Sequence, residues 1–98
     1  MFRVIYEWRV AAEKMTEFQL AWQAVTDTIH ETVPGALGSA LYRSTQTPDK
    51  VLTIAKWHTR QDWEAFWGQS DPEFMRPMRQ LGERVGVETF DEVEDRTR

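Results

Sequence analysis

VLTIAKWHTRQDWEAFW, residues 51–67, decides the fold of this 98-residue chain. Val51, Thr53 and Ile54 carry the β-branched side chains that suit a pleated strand, and Trp57 closes the run. Thr59 then stands where a helix needs a cap, and Trp63, Phe66 and Trp67 fall three and four residues apart, on one face of the helix that follows. A strand running straight into an aromatic helix makes one wall of a buried pocket. The plainer reading is that the same rings fill a small core.

Working outward, residues 37–44 (LGSALYRS) read as a strand, and residues 45–50, with Pro48-Asp49, as a polar turn. The separation is of hairpin length, so these two strands are expected to be antiparallel. Further back, FRVIYEWRV (residues 2–10) alternates, with Val4, Tyr6 and Trp8 on one face and Arg3, Ile5, Glu7 and Arg9 on the other. Between these strands lies a helix. Thr16 is its expected cap, with Gln19 returning the bond and Met15 stapling onto Leu20. Met15, Phe18, Trp22, Val25 and Ile29 form its apolar stripe, with Glu17, Gln23, Asp27 and His30 off its centre. Val33-Pro34-Gly35 stops it, because the residue before a proline is driven out of the helical region and glycine permits the turn.

On the other side, Gly68 interrupts the aromatic helix, and Ser70-Asp71-Pro72-Glu73 offers a fresh start with a capping residue and a first-turn proline. Pro77 must kink or restart that segment, while Phe74, Met78 and Leu81 continue an apolar face to Gly82. Residues 85–93 (VGVETFDEV) alternate again as a fourth strand, which closes a single domain at residue 93 and leaves residues 94–98 as a polar tail.

Strand, helix, strand, strand, helix, strand is the ferredoxin-like βαββαβ order: an α+β fold with both helices on one face of a four-stranded antiparallel sheet. With Val4, Tyr6, Trp8, Val51, Thr53, Ala55 and Trp57 facing the helices, Ile5, Leu52 and Ile54 face away. A continuous apolar patch of that kind calls for a two-fold partner pressing sheet against sheet, a homodimeric α+β barrel. Glu7 is then expected to form an ion pair between chains.

Composition excludes several function classes. A net charge of −4 is poorly suited to tracking nucleic-acid phosphates. The chain has no cysteine, hence no disulfide, thiol nucleophile or thiolate metal site, and its two histidines, His30 and His58, lack zinc-ligand spacing. No metal is expected. Without a signal-like start or an apolar run near the roughly 20 residues of a membrane span, the expectation is a cytoplasmic protein that contacts no membrane.

Tyr6-Glu7-Trp8-Arg9, the Val33-Pro34-Gly35 stop followed by Leu41-Tyr42-Arg43-Ser44, and residues 51–57 with their following helix resemble the antibiotic biosynthesis monooxygenase domain family. The likeness spans nearly the whole chain and implies the dimeric barrel. It also implies one of several activities: oxidation of anthrone-like or hydroquinone-like aromatics without metal or organic cofactor, heme degradation, or small-molecule processing and stress response. In the anthrone-oxidising members, the pocket positions fall on Thr53, Trp57, Trp63 and Met78, with Arg76 and Arg79 close by, and of these Trp57 alone is kept unaltered. The heme-degrading members' positions fall on Trp8, Phe66 and Met78; none is kept, and the iron-ligating histidine is missing.

Two expectations follow. In the first, the chain is a cofactor-free monooxygenase in which Trp8, Trp57, Trp63 and Phe66 sandwich a small planar aromatic, with Thr53 and Met78 beside it. Tyr6 or His58 handles a proton, and Arg43, Arg76 or Arg79 holds the developing phenolate oxygen. In the second, the same pocket belongs to a non-catalytic dimeric binding or stress-response module. Each residue also has a plainer role: Trp57 as a core plug, Tyr6 bonded to a backbone carbonyl, His58 turned away from Trp57, and the arginines as solvated surface charges.

Overall fold

The computed structural model describes residues 1–68 and 73–98. In it the chain forms β1 (Phe2–Arg9), α1 (Met15–Thr32), β2 (Ala36–Arg43), β3 (Lys50–Trp57), α2 (Arg60–Trp67), the short α3 (Arg76–Arg79) and β4 (Glu83–Asp91). The strands make one antiparallel sheet in the order β2-β3-β1-β4, the α+β ferredoxin-like arrangement. Its two central strands are those whose alternation is clearest in the sequence.

Register explains which face is buried. Val4 stands opposite Ala55, Tyr6 opposite Thr53 and Trp8 opposite Val51, so these six project together from one side. Val4, Trp8 and Val51 are completely covered, and they share a core with Phe18 and Val25 of α1, Trp63 and Phe66 of α2, and Met78 of α3. Both long helices dock on this face: the Trp8 and Phe18 rings lie 5.3 Å apart edge-on, and the Tyr6 and Trp67 rings 5.6 Å apart. The opposite face carries Ile5 beside Ile54, Leu52 beside Tyr42, and Phe90 beside Arg3. Glu7, also on that face, lies 3.8 Å from Arg9 and 4.0 Å from Lys50 of its own chain.

Three local expectations change. The first helix is entered through a 3-10 turn over Ala12–Lys14 and makes no side-chain cap, so Thr16 lies inside α1 and not at its start. Leu20 is 59% exposed, which rules out the staple with Met15. The fourth strand begins two residues early, at Glu83, because a bulge between Glu7 and Trp8 of the β1–β4 pairing absorbs Val85. Pro77 restarts the helix as expected, in the first turn of α3, where its missing amide costs no helical bond. Ser70-Asp71-Pro72 lies outside the described residues.

Elsewhere the local chemistry is as read. The Thr59 Oγ1 accepts the Asp62 amide at 3.1 Å to cap α2, and Gly68 ends that helix. Gly35 has a φ of 83°, and a Cβ there would run into the Asp62 side chain. The Gly35 carbonyl accepts the His58 amide at 2.8 Å, so the stop after α1 is tied to the start of α2. Among the described residues, no helix is long and apolar enough to cross a membrane.

Candidate functional site

Between α1, the β2–β3 half of the sheet and the C-terminal helices lies a cleft of about 470 Å³, including the part open to solvent. Its floor is Thr53, Ala55 and Trp57 of β3 with Tyr6 of β1. Phe66, Met75 and Met78 close one end, and Trp22, Val25, Thr26, Ile29 and His30 of α1 form the roof. Ala36, Gly38 and Ser39 of β2 make the lip. Lys56 borders the cleft through its backbone, since strand alternation puts its side chain on the other face, in register with Arg3.

Polar groups are few here, and the buried ones are paired with one exception. Thr53 Oγ1 accepts the Trp8 indole N–H at 3.1 Å, Ser39 Oγ accepts that of Trp22 at 3.2 Å, and the Tyr6 hydroxyl accepts that of Trp63 at 3.1 Å. The exception is Trp57. It is 3% exposed, packs against Phe66 with ring centroids 5.3 Å apart, and its buried Nε1–H has no hydrogen-bond partner among the described residues. A buried donor left unmatched is uncommon and costs about 1–3 kcal/mol.

Tyr6 is the titratable group deepest in the cleft. Burial pushes its phenol up from 10.0 to about 12, opposed by the Trp63 hydrogen bond and by the Arg84 charge. At neutral pH it is therefore a protonated phenol, a hydrogen-bond donor and not a base. Of the other residues singled out in the sequence, Thr53, Trp57, Phe66 and Met78 join it in the cleft.

The remainder lie elsewhere. Trp8 and Trp63 are core residues whose indoles bond to Thr53 and Tyr6, so they support the cleft's lining from outside it. His58 is exposed beyond the end of β3, and Arg43 is exposed at the end of β2. Arg76 pairs with Glu73 at 3.0 Å on the surface, and Arg79 is outside the lining.

Sequence reasoning missed the contribution of α1 and β2. Trp22, Val25 and Ile29 read as core because their spacing does, and nothing in a helical period says whether a stripe meets packed atoms or a void. It also missed Arg84, whose guanidinium lies 4.8 Å from the Trp67 ring and 6.0 Å from that of Trp8, in cation–π geometry. Among the described residues, no group of three or more His, Asp or Glu side chains is placed to hold a metal.

The geometry can be set beside known proteins. Residues 1–74 match the family model described as antibiotic biosynthesis monooxygenase. No curated protein sequence matches the chain. A Bordetella bronchiseptica structure described under the same family name superposes with a TM-score of 0.80 at 19% identity, covering 95% of this chain and 97% of that one. SnoaB, a cofactor-independent oxygenase from Streptomyces nogalater solved in a mutant form, superposes with a TM-score of 0.75 at 15% identity, covering 99% and 97%. At these identities the structural likeness establishes the fold.

Proposed function

Because the chain belongs to the antibiotic biosynthesis monooxygenase family, we propose that it oxidises a small, planar, electron-rich aromatic of the anthrone or hydroquinone kind, using dioxygen without metal or organic cofactor. The observation that carries this reading is an apolar cleft lined by Trp57, whose buried Nε1–H is unmatched among the described residues. A guest whose oxygen accepts that hydrogen bond removes the deficit, and the bond strengthens as the oxygen gains negative charge.

The chemistry needs little from the protein. An anthrone that has lost its proton passes one electron to dioxygen; the radical pair combines into a peroxide, and loss of water leaves the quinone. One oxygen atom ends in the product and the other in water. Trp57 holds the substrate oxygen, Phe66 and the methionines exclude water, and Tyr6 donates from its neutral phenol. Among the described residues, no carboxylate lines the cleft. The proposed substrate is one acidic enough to ionise in solution, so the pH profile follows the substrate's own ionisation. Similarity to the cofactor-independent oxygenase SnoaB supports the absence of a cofactor.

The test is oxygen uptake by the purified, metal-free protein with 1,8-dihydroxy-9-anthrone. The expected result is uptake above the buffer rate, equal to quinone formed, and about 100-fold slower in Trp57→Phe, the scale of losing one donor to a developing oxyanion. Uptake at the buffer rate across a panel of anthrones and naphthohydroquinones, with ligand still quenching tryptophan fluorescence, would establish the alternative of a binding module.

A further inference from the structure

The cleft's lining grades from closed to open in one direction. Val25, Ala36, Thr53, Trp57, Phe66, Met75 and Met78 are all less than a tenth exposed. Trp22, Thr26, Ile29, Gly38 and Ser39 are half-buried, and His30 is exposed. The accessible residues belong to α1, to β2 or, at Ala55 and Lys56, to β3 where Ala55 pairs with Ser39, so the way in runs along the seam between that helix and that edge of the sheet.

Two features of the seam make it the part able to open. β2 is an edge strand, and its pairing with β3 slips between Ala36 and Ser39, leaving Leu37 and Gly38 out of the ladder. Gly38 has a φ of 107°, and a Cβ built there meets nothing within 4 Å, so this stretch of lip faces open space. Across the seam runs the Trp22 Nε1–H to Ser39 Oγ hydrogen bond of 3.2 Å, the only side-chain hydrogen bond between α1 and β2 among the described residues.

We propose that Trp22 and Ser39 form a latch across the mouth of the cleft and thereby determine which aromatic guests enter and how fast they exchange. With the hydrogen bond made, the indole bridges helix and edge strand; with it broken, the indole swings outward and the bulged lip yields. This inference rests on the cleft being the ligand site, and it requires no turnover.

The experiment therefore uses an oxidised probe, 1,8-dihydroxyanthraquinone, whose binding is followed by stopped-flow quenching of tryptophan fluorescence. Trp22→Phe keeps a ring but removes the donor, Ser39→Ala removes the acceptor, and Ser39→Thr restores a hydroxyl. Association and dissociation should both rise about two- to tenfold in Trp22→Phe and in Ser39→Ala, the range set by one neutral hydrogen bond. The double variant should be no faster than either single one, and Ser39→Thr should return toward the wild-type rates.

Unchanged exchange rates, additive effects in the double variant, or a changed Kd at constant association rate would overturn the latch, the last because it indicates direct contact with the guest. Absence of any quenching by wild-type protein would overturn it as well. If Trp22→Phe fails to fold, the comparison of Ser39→Ala with Ser39→Thr decides alone. A protein that takes up no oxygen with the anthrone but shows the expected exchange pattern loses the oxygenase reading and keeps the latch.

Discussion

Tyr6 shows how much a single buried side chain reports. Its folded-state pKa of about 12 exceeds the ordinary 10.0, so the folded protein holds this proton more tightly than the unfolded chain does. The associated stability is complete below pH 10 and is lost as pH climbs through 12, an amount on the order of 2–3 kcal/mol for a shift of this size. Urea denaturation measured at rising pH should show that alkaline decline, and Tyr6→Phe should flatten it while lowering stability at neutral pH, since Trp63 Nε1–H then loses its acceptor. A decline identical in the variant would show that another group is responsible.

Two indoles in the same molecule make a paired test. Trp8→Phe breaks the 3.1 Å bond to Thr53 and strands a buried hydroxyl, with an expected cost of about 1–3 kcal/mol. Trp57→Phe gives up no hydrogen bond to the described residues, so its cost is limited to the smaller ring and should be at least about 1 kcal/mol less. Equal costs in urea melts would mean that the Trp57 donor is satisfied in solution. From sequence, both were merely tryptophans in strands; the distinction depends on what lies opposite each nitrogen, which alternation cannot tell.

Among the elements, the end of α1 is held closely against the start of α2 at Gly35. Gly35→Ala faces both a φ of 83° and collision with the Asp62 side chain, so a loss of about 1–3 kcal/mol is expected. Adding Asp62→Ala should recover the part due to the collision and leave the backbone strain. Gly38→Ala, at a φ of 107° with open space around it, carries only strain and should cost less than Gly35→Ala; thermal melts of the four proteins check this.

The central strands were legible because Val4, Tyr6 and Trp8, and Val51, Thr53 and Trp57, keep a strict period of two beneath a covered face. The Thr59 cap was legible because its chemistry is local. The entry to α1 was not, because Ala12–Lys14 turns as a 3-10 segment and removes the need for Thr16 to cap. The true start of β4 was hidden by a bulge, which breaks the alternation used to find it. The cleft was half legible: the β3 side announces itself with Trp57, whereas the lip at Gly38 and Ser39 arises from a slip in pairing that no local pattern encodes.

For the whole molecule, the uncovered sheet face decides the state of assembly. Ile5, Leu52 and Ile54 sit there with Tyr42, 56% exposed, and Phe90, 41% exposed, a run of apolar side chains of the kind that marks an interaction site. We propose that two copies bury it sheet against sheet. Light scattering should give twice the chain mass at micromolar concentration, and Ile54→Asp, at the centre of that face, should give a folded single chain or a dimer weakened at least about 100-fold. A wild-type single chain at that concentration would sink the assembly.

The unmatched indole nitrogen of Trp57 also makes the empty protein the less comfortable of its two conditions. A visitor with an oxygen lone pair should therefore raise the melting temperature further than a hydrocarbon of the same outline, anthraquinone further than anthracene. Heat alone could then sort candidate molecules from a library before any reaction is known.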